Sequence, residues 1–529
     1  MEKRNTNRTL VLFLIFVILM VLLTIRVYYI QIICHEELTE AAQSQYEVLV
    51  AGIDNRGQIL DRNHMPLTGG LNQYYYFVEK DFADENLDFL MESIDAEQIA
   101  STESSYLVYR AERYDKEVSS RAKDDYKAYV LECPTRYGEE QIACHLIGYL
   151  NEDEQKGVSG IELLCEEKLS KKQGALTLWA DAAGYLINGT EPARSDAPKG
   201  KNTSLENEAG IVTTIDRRIQ FATERFLQNQ TTSGAAIVMD ADTGEILAWT
   251  AMPTFNPNNI EDYLYSGSDC LINKVSQSAY PPGSVFKIVT ALAGLEDGID
   301  PALEFECEGK TEVEGIEVSC IVEEGHGKVD MRDAMAVSCN CYFAKLCESV
   351  GYEKVLETAG RMGFGQTTME CFPEEVDGNL PKAEQLGPWD TSNISIGQGQ
   401  LLATPIQVCQ MTAIVANGGY MIRPKILAEE SQKKIRVIDH DDAQQIEGFL
   451  KAVMTEGTAQ NDWEYDVYGK TGTSENGALE ENSNVCWFTG YFRQDERNYA
   501  ITVMIEEGMS GTNDALPVFK NIVQFLGEL

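Results

Sequence analysis

A long apolar run opens the chain. Leu10 to Ile25 carries no charge, three basic residues precede it, and the apolar pattern continues after Arg26 to Ile33. Basic residues before the run and almost none just after it are typical of a signal anchor whose amino terminus stays inside. A cleaved signal peptide would have a shorter apolar core and small residues at its end. The pattern predicts a single membrane span within residues 1–33, with the chain from about Cys34 onward outside.

The next 175 residues, 34–208, differ from the rest of the chain in their pattern of apolar and polar residues. They are polar and irregular, with acidic runs and few apolar periods, and they end in the loop-like stretch NGTEPARSDAPKGKNTS. We therefore predict an extracytoplasmic spacer domain over 34–208 and a compact domain over 209–529.

Strand-like runs mark both ends of the compact domain. GAAIVMD and EILAWTAM are joined by the tight-turn sequence ADTG, and VCWFTGYF and NYAITVMIEE form a second adjacent pair. Between them, 404–417 is predicted to be a helix because Thr404 can cap it, Pro405 suits its first position and Gln407 completes a capping box. LPVFKNIVQFLGEL is predicted to be a closing amphipathic helix. The pattern indicates an antiparallel sheet covered by helices, an α+β fold.

Composition narrows the class of protein. The chain has 529 residues, too many for one ordinary core, and 43% apolar and 24% charged residues, as in folded proteins. Its formal net charge of -41 excludes nucleic acid as an expected partner, because such binding normally begins with a basic patch. Thirteen cysteines leave at least one thiol unpaired. Cys307 and Cys320 flank a hairpin-like segment, so a disulfide between them and two unpaired thiols are both open.

Ser284 is the candidate nucleophile. In YPPGSVFKIVTALAGLE, turn residues precede an apolar helix-favouring run, which places Ser284 near a helix start and Lys287 one turn later. A neutral Lys287 amine on the same face could take the serine proton, provided that desolvation lowers its pKa. Ser120 to Lys123 and Ser431 to Lys434 have the same spacing in polar surroundings, so context rather than spacing selects Ser284.

A second cluster is Ser338 and Asn340, which lie on either side of Cys339 after a helix-like segment. This polar pair could relay protons and bind an amide. The alternative is that both side chains only make local backbone hydrogen bonds at a helix boundary.

The third cluster is YGKTGTSE, which directly precedes a strand-like run. Lys470, Thr471 and Thr473 offer a cation and hydroxyls to a carboxylate, and Gly472 permits a close backbone approach. The alternative is a solvated edge strand.

In the order SVFK, SCN and KTGT, the three clusters match the signature of penicillin-binding proteins and serine β-lactamases. Over nearly its whole length the chain resembles a class B penicillin-binding protein, a peptidoglycan D,D-transpeptidase. NRGQILDRN, HLIGYL and GVSGIELLCEEKL are similar to the family's pedestal, and TTIDRRIQ, SIGQGQLLATPIQ and WFTGY to its transpeptidase domain. The resemblance implies a five-stranded antiparallel sheet covered by helices, an elongated, dimerisation-like pedestal and one transmembrane helix.

The resemblance also implies roles for the first two clusters. Ser284 is acylated by the penultimate D-alanine carbonyl of a stem peptide, with Lys287 as the base, and the terminal D-alanine leaves. Ser338 passes a proton toward the leaving amine, and Asn340 orients the substrate amide.

The third cluster is implied to bind substrate. Lys470, Thr471, Gly472 and Thr473 hold the terminal carboxylate, and the backbone N–H groups of Ser284 and Thr473 form the oxyanion hole. An amine from a neighbouring peptide then resolves the acyl-enzyme without any cofactor. β-Lactam antibiotics mimic the first substrate, and a membrane glycosyltransferase is the implied partner.

No metal site is predicted. The five histidines lie far apart without an HExxH pattern, and Cys339, Cys341 and Cys347 match no closed tetrahedral spacing, so these cysteines are expected to be ordinary buried thiols.

Two rival functions stay open. A β-lactamase of the same fold would need a deacylating glutamate in class A, but Glu374, Glu375 and Asn379 do not match the ExxLN arrangement. The other rival is a penicillin-binding scaffold or sensor. Elongation, division and sporulation are not distinguished by the sequence.

Overall fold

Two compact units make up the chain. The computed structural model describes residues 2–29, 47–50, 56–69, 72–99, 106–138, 140–151, 156–170, 176–179, 193–194, 210–265, 269–369, 372–475 and 484–529. The N-terminal unit comprises Met1–Arg56, Leu71–Arg136 and Lys172–Glu206. The C-terminal unit comprises Gly57–Gly70, Tyr137–Lys171 and Asn207–Leu529.

Two antiparallel sheets and their helices form the N-terminal unit. Its four-stranded sheet has the order Glu97–Ile99, Tyr106–Ala111, Asn72–Glu79 and Tyr129–Pro134. Its three-stranded sheet has the order Glu47–Val50, Leu176–Trp179 and Ala193–Arg194. Two helices, Glu85–Glu92 and Lys116–Tyr126, begin at aspartates whose carboxylates accept backbone N–H groups of the first turn. Their apolar faces share one core with the four-stranded sheet.

The remaining elements of the N-terminal unit are a 3-10 turn, Lys80–Phe82, and the helix Glu2–Tyr28. Side chains of that helix are described from Phe13 onward. Among the residues that the structure describes, no helix combines the length and the apolar character that a membrane crossing requires.

Two stretches inside the predicted spacer pack with the C-terminal unit instead. Gly57–Gly70 supplies the strand Ile59–Leu60, which pairs in parallel with Ile211–Val212. Tyr137–Lys171 supplies three short helices, Cys144–Ile147, Gly160–Leu164 and Glu166–Ser170. Their buried apolar side chains belong to a core supplied mainly by residues beyond 210. The local sequence pattern does not reveal this packing. The predicted boundaries at 33/34 and 208/209 lie outside the described residues.

A five-stranded antiparallel sheet organises the C-terminal unit. Its strands are β1 (Gly234–Asp240), β2 (Ile246–Met252), β3 (Asp466–Glu475), β4 (Asn484–Gln494) and β5 (Arg497–Gly508). Their order is β2-β1-β5-β4-β3, so β3 is an edge strand. Both predicted antiparallel pairs, β1 with β2 and β4 with β5, are confirmed. Gly244 closes the first turn at φ +75°, and a Cβ there would come within 2.5 Å of the Arg423 carbonyl oxygen.

Helices cover both faces of this sheet. Five of them are α1 (Lys287–Glu296), α2 (Met331–Ala336), α3 (Asn340–Val350), α4 (Pro405–Ala416) and α5 (Leu516–Gly527). On β4, the Thr489 hydroxyl lies 2.6 Å from Thr412 of α4, and the neighbouring Phe488 ring lies 4.4 Å from Phe519 of α5. Because adjacent strand residues point to opposite faces, the sheet lies between α4 and α5.

The predicted helix over 404–417 is confirmed as α4. Thr404 and Gln407 form the capping box, Pro405 is in the first turn, and the helix is buried along its whole length. The predicted closing helix is confirmed as α5, which follows a π-helical turn, Gly511–Ala515.

The unit also contains further helices, 3-10 turns and two-stranded ladders. Further helices are Arg217–Gln230, Glu261–Leu264, Tyr352–Arg361, Pro388–Ile394 and His440–Thr455, with 3-10 turns at Gly283–Phe286 and Ala383–Gln385. Three two-stranded ladders pair Phe305–Cys307 with Gly327–Val329, Lys310–Val313 with Ile316–Ser319, and Tyr420–Ile422 with Lys434–Arg436.

Candidate active site

Ser284 lies in the 3-10 turn that leads directly into α1. The turn is fixed from both sides. The Gly283 N–H donates to the Gly397 carbonyl at 2.8 Å, while the Pro281 carbonyl accepts from Ser474 Oγ at 2.7 Å and from Trp487 Nε1 at 3.1 Å. The nucleophile is therefore held on a rigid element at a helix start, as the sequence predicts.

Lys287 lies one turn further and is fully buried. Its Nζ is 3.0 Å from Ser284 Oγ, 2.8 Å from the Ser338 carbonyl oxygen and 2.7 Å from Asn340 Oδ1. The carbonyl and the amide oxygen can only accept hydrogen bonds. A neutral amine would use its two N–H groups on them, which leaves its lone pair for a hydroxyl proton.

Burial lowers the pKa of Lys287 to about 8, although the neighbouring thiols of Cys339, Cys320 and Cys341 act in the opposite direction. The desolvation that the sequence argument required is therefore present. A substantial fraction of this amine is neutral near physiological pH.

Ser338 connects Lys287 to Lys470. It lies in the short connection between α2 and α3, with φ of +56°. Its hydroxyl is 3.1 Å from Lys287 Nζ and 2.9 Å from Lys470 Nζ. Burial and the charge of Lys287 hold the pKa of Lys470 well below its usual value. The three groups form a continuous path for a proton.

Strand β3 carries the third cluster. Lys470 is fully buried, and its Nζ also donates to the Thr471 carbonyl at 3.0 Å. Thr473 is exposed, and its hydroxyl oxygen accepts the Gly511 N–H at 3.2 Å. The buried lysine excludes a simple solvated edge, and Thr473 is the member of the cluster that faces outward.

The close approach of β3 to the nucleophile's turn is visible at two glycines. A Cβ on Gly283 would come within 2.8 Å of the Thr473 carbonyl oxygen. A Cβ on Gly472 would come within 2.9 Å of Val285 Cγ1 and 3.1 Å of the Pro282 carbonyl oxygen. The backbone segments that carry Ser284 and Thr473 therefore run side by side, the geometry that an oxyanion hole needs.

The structure brings the three predicted clusters together but not the two other pairs with the same spacing. The three predicted clusters converge on one another through Lys287, Ser338 and Lys470. Ser120, by contrast, lies on the exposed face of a helix and donates to Asp124 at 3.3 Å, and Ser431 lies in an exposed loop.

The acidic segment considered for a β-lactamase has a structural use. Glu375 accepts hydrogen bonds from the backbone N–H groups of Thr368 and Met369 and from the Thr368 hydroxyl. This carboxylate therefore stabilises a local loop.

Several site residues are missed by the sequence argument. The Thr458 hydroxyl lies 2.7 Å from the Thr471 hydroxyl. The Gly397 carbonyl accepts a hydrogen bond from the turn at Gly283, and the Gly511 N–H donates one to Thr473. Gly397 falls in the quoted SIGQGQ segment, but no local pattern assigns these contacts.

A cysteine and histidine cluster was also missed. Cys307 and Cys320 are free, buried thiols, so the disulfide alternative is not realised. They lie with His326 and Cys339 in one group whose ligand atoms are all within 4.8 Å of one another. The spacing of Cys339, Cys341 and Cys347 does not indicate this group, because its members come from separate segments of the chain.

Known proteins share both the sequence and the fold. Residues 234–524 match the family described as the penicillin binding protein transpeptidase domain. The chain is 26% identical to stage V sporulation protein D of Bacillus subtilis, over 98% of this chain and 85% of that protein. It is 27% identical to the peptidoglycan D,D-transpeptidase MrdA of Acinetobacter baumannii, over 95% of this chain and 85% of that protein.

Among solved structures, penicillin-binding protein PBP2 from Helicobacter pylori superposes with a TM-score of 0.72 at 22% identity, covering 91% of this chain and all of that one. A chain of a peptidoglycan synthase complex superposes with a TM-score of 0.74 at 23% identity, covering 98% of this chain and 97% of that one. These likenesses show the fold, while the match over 234–524 spans more than half of the sequence. The chain therefore belongs to the penicillin-binding protein transpeptidase family.

Proposed function

We propose that this protein is a peptidoglycan D,D-transpeptidase that cross-links stem peptides through an acyl-enzyme on Ser284. The observation that carries the proposal is a chain of hydrogen bonds: the buried Lys287 amine contacts Ser284 and Ser338, and Ser338 in turn contacts Lys470. The relatives named above include a peptidoglycan D,D-transpeptidase, which supports the same activity.

In the first half-reaction, Ser284 Oγ attacks the carbonyl of the penultimate D-alanine as its proton moves to the neutral Lys287 amine. The bond from that carbonyl to the terminal D-alanine nitrogen then breaks. The Ser338 hydroxyl, within reach of both lysines, returns a proton to the leaving amine. Asn340 Nδ2 donates to the Ser319 carbonyl at 3.2 Å, which fixes the amide that orients the substrate.

Substrate is held along β3. We assign the terminal carboxylate to the exposed Thr473 hydroxyl and to Thr471, with the buried Lys470 acting through its hydrogen bond to Ser338. Backbone N–H groups of Ser284 and Thr473 receive the developing oxyanion, supported by the close approach of the two segments at Gly283.

In the second half-reaction, an amine of a neighbouring stem peptide attacks the ester carbonyl, the bond from that carbonyl to Ser284 Oγ breaks, and the amine proton passes through Lys287 to Ser284 Oγ. No group other than these side chains is required for either step. A β-lactam enters as a mimic of the first substrate and leaves a stable ester on Ser284.

A direct assay is peptide transfer. The full chain in detergent is incubated with a donor peptide ending in D-alanyl-D-alanine and an excess of a labelled D-amino acid as acceptor. The wild type is expected to release D-alanine and form the labelled product, Ser284→Ala to form none, and Ser431→Ala to match the wild type. Release of D-alanine with hydrolysis alone would contradict cross-linking, and rapid turnover of penicillin would favour the β-lactamase.

We further propose that residues 1–33 anchor the protein as a single pass in the cell membrane, with the amino terminus cytoplasmic. The uncharged run from Leu10 to Ile25, its basic flank and the exposed apolar side chains from Phe13 to Tyr29 support this placement. A reporter enzyme that is active only outside the membrane should be active when fused after Leu529. An inactive, cytoplasmic reporter would contradict the orientation.

We also propose a membrane glycosyltransferase as partner, since transpeptidation requires nascent glycan strands. Support comes from the shared fold with a chain of a peptidoglycan synthase complex. A glycan polymerase is expected to co-purify with the full chain. If the polymerase no longer co-purifies after deletion of residues 1–33, the membrane anchor takes part in the contact. Recovery of the chain without any polymerase under mild detergent would contradict the partnership.

A further inference from the structure

Three cysteines and one histidine meet beside the catalytic serines. Cys307, Cys320 and Cys339 are buried and His326 is partly exposed. Cys320 Sγ lies 3.8 Å from Cys339 Sγ and 3.4 Å from His326 Nδ1, and Cys307 Sγ lies 3.7 Å from the same nitrogen. The peptidoglycan chemistry above does not use these groups as reactants.

Three of the six separations between the ligand atoms match those of a tetrahedral ion site, and all four atoms lie within 4.8 Å of one another. With zinc–sulfur bonds of about 2.3 Å and zinc–nitrogen bonds of about 2.0 Å, a regular tetrahedron has sulfur–sulfur edges of about 3.8 Å and sulfur–nitrogen edges of about 3.5 Å. All three measured separations fall near these values. A disulfide, by contrast, requires sulfur atoms about 2.05 Å apart.

The chain builds this group from three separate segments. Cys307 ends a strand and pairs with Gly327, which places His326 beside it. Cys320 follows the hairpin Lys310–Val313 with Ile316–Ser319, and its N–H donates to the Gly309 carbonyl at 2.7 Å. The loops cross so closely that a Cβ on Gly309 would come within 1.8 Å of the Glu323 carbonyl oxygen.

We propose that Cys307, Cys320, His326 and Cys339 bind one zinc ion in a closed structural site. Thiolate and imidazole ligands suit this borderline-soft ion, and a set of three cysteines and one histidine fills all four positions. The three thiols lose their protons to solvent on binding, and the partly exposed His326 provides the entry path. With no open position, the ion takes no part in the acyl transfer.

The site would nevertheless position catalytic groups. Cys339 lies between Ser338 and Asn340, and Asn340 Nδ2 bonds the carbonyl of Ser319, the residue before Cys320. An ion that joins Cys320 to Cys339 therefore ties together both sides of this contact. The same ion would restrain Ser338, which precedes Cys339 and has a φ of +56°.

Metal content is the direct test. The full chain, purified in detergent without chelators, is expected to contain about one zinc ion per molecule. His326→Ala and Cys320→Ser should lose it, whereas Cys347→Ser should keep it, because Cys347 is a buried thiol on α3 that lies outside the group. Replacing zinc with Co²⁺ should give the visible absorption of a tetrahedral thiolate site in the wild type and in Cys347→Ser only.

A second measurement avoids reliance on variants that fail to fold. A strong chelator should lower the melting temperature of the wild type and slow its acylation by penicillin, and added zinc should restore both. Equal zinc content in the wild type and His326→Ala, or a mass lower by two hydrogens that reveals a disulfide in this group, would overturn the proposal.

The zinc proposal and the proposed function fail separately. If the purified chain forms a penicillin adduct on Ser284 but contains no zinc, only the zinc proposal is contradicted. If it contains stoichiometric zinc but forms no adduct, only the proposed transpeptidase function is contradicted.

Discussion

Two buried lysines share one serine hydroxyl at the centre of the site. Ser338 Oγ lies within 3.1 Å of both Lys287 Nζ and Lys470 Nζ. Keeping two ammonium groups this close and out of water would be costly, so burial favours the neutral amines. In the proposed mechanism, this is how the site obtains a base without a histidine.

The rate of acylation by penicillin is expected to rise with pH through a midpoint near pH 8. The pKa of Lys287 is lowered to about 8, so below that value the amine is protonated and cannot accept the serine proton. Lys470 and the Cys341 thiol also face it, and the thiols of Cys320 and Cys339 do so when no zinc is bound. Stopped-flow or quenched mass measurements from pH 6 to 9.5 test this. A flat profile would rule out Lys287 as the base.

Lys287→Gln is expected to lower the acylation rate by about 10²- to 10⁴-fold, the usual contribution of a general base. The glutamine retains donors for the Ser338 carbonyl oxygen but has no basic lone pair. Lys123→Gln, in the pair Ser120 and Lys123 on the exposed face of a helix, is the matched control and should leave the rate unchanged. If Lys287→Gln acylates as fast as the control, another group removes the proton.

At the scale of elements, the turn that carries Ser284 depends on the strand beside it. Gly283 has φ of +58°, and a side chain there would press on the Thr473 carbonyl oxygen. The backbone conformation and the close approach therefore both demand glycine at this position. Position and conformation of the nucleophile are set together.

Gly283→Ala is expected to lower both the melting temperature and the acylation rate. Gly298→Ala is the matched control, because Gly298 also has positive φ, +80°, but nothing lies within 4 Å of its Cβ position. In the control, the free energy of unfolding should fall only by the cost of a side chain at positive φ, about 1–2 kcal/mol, and the acylation rate should not change. Equal effects of the two substitutions on acylation would refute the role of the close approach.

The elements that the sequence predicts well are those with local signals. Helix α4 carries its capping box and proline within four residues, and the β1–β2 pair carries its turn at Gly244. The contacts that fix the turn at Ser284 and the cluster of Cys307 with His326 carry no local signal, because they depend on backbone segments that meet only in the folded chain. The sequence therefore indicated Ser284, Ser338 and Lys470 but not the groups that hold them.

At the scale of the whole molecule, the C-terminal unit gathers stretches far apart in sequence. Residues 57–70 and 137–171 join residues 207–529, and the segment around His145 is part of this assembly. His145 is buried, its Nε2 lies 2.7 Å from the Cys270 carbonyl oxygen, and its ring meets Phe255 edge-on at 5.0 Å. A boundary read from composition misses such insertions because only their packing reveals them.

The stability that His145 contributes is expected to fall as the pH is lowered. Burial lowers its pKa to about 4, so the folded protein binds its proton less readily than the unfolded chain. The contribution is complete above about pH 6.5 and is lost as pH falls toward 4, by roughly 3 kcal/mol. Denaturant unfolding of the wild type and His145→Gln should therefore show a difference that shrinks over this range. A difference that does not change with pH would contradict the assignment.

The central claim is that Ser284 forms the acyl-enzyme, and intact mass after addition of penicillin tests it most directly. The folded full chain and Ser431→Ala should each gain one drug mass that persists for hours, and Ser284→Ala should gain none. An adduct on Ser284→Ala, no adduct on the wild type, or an adduct that vanishes within minutes would contradict the account.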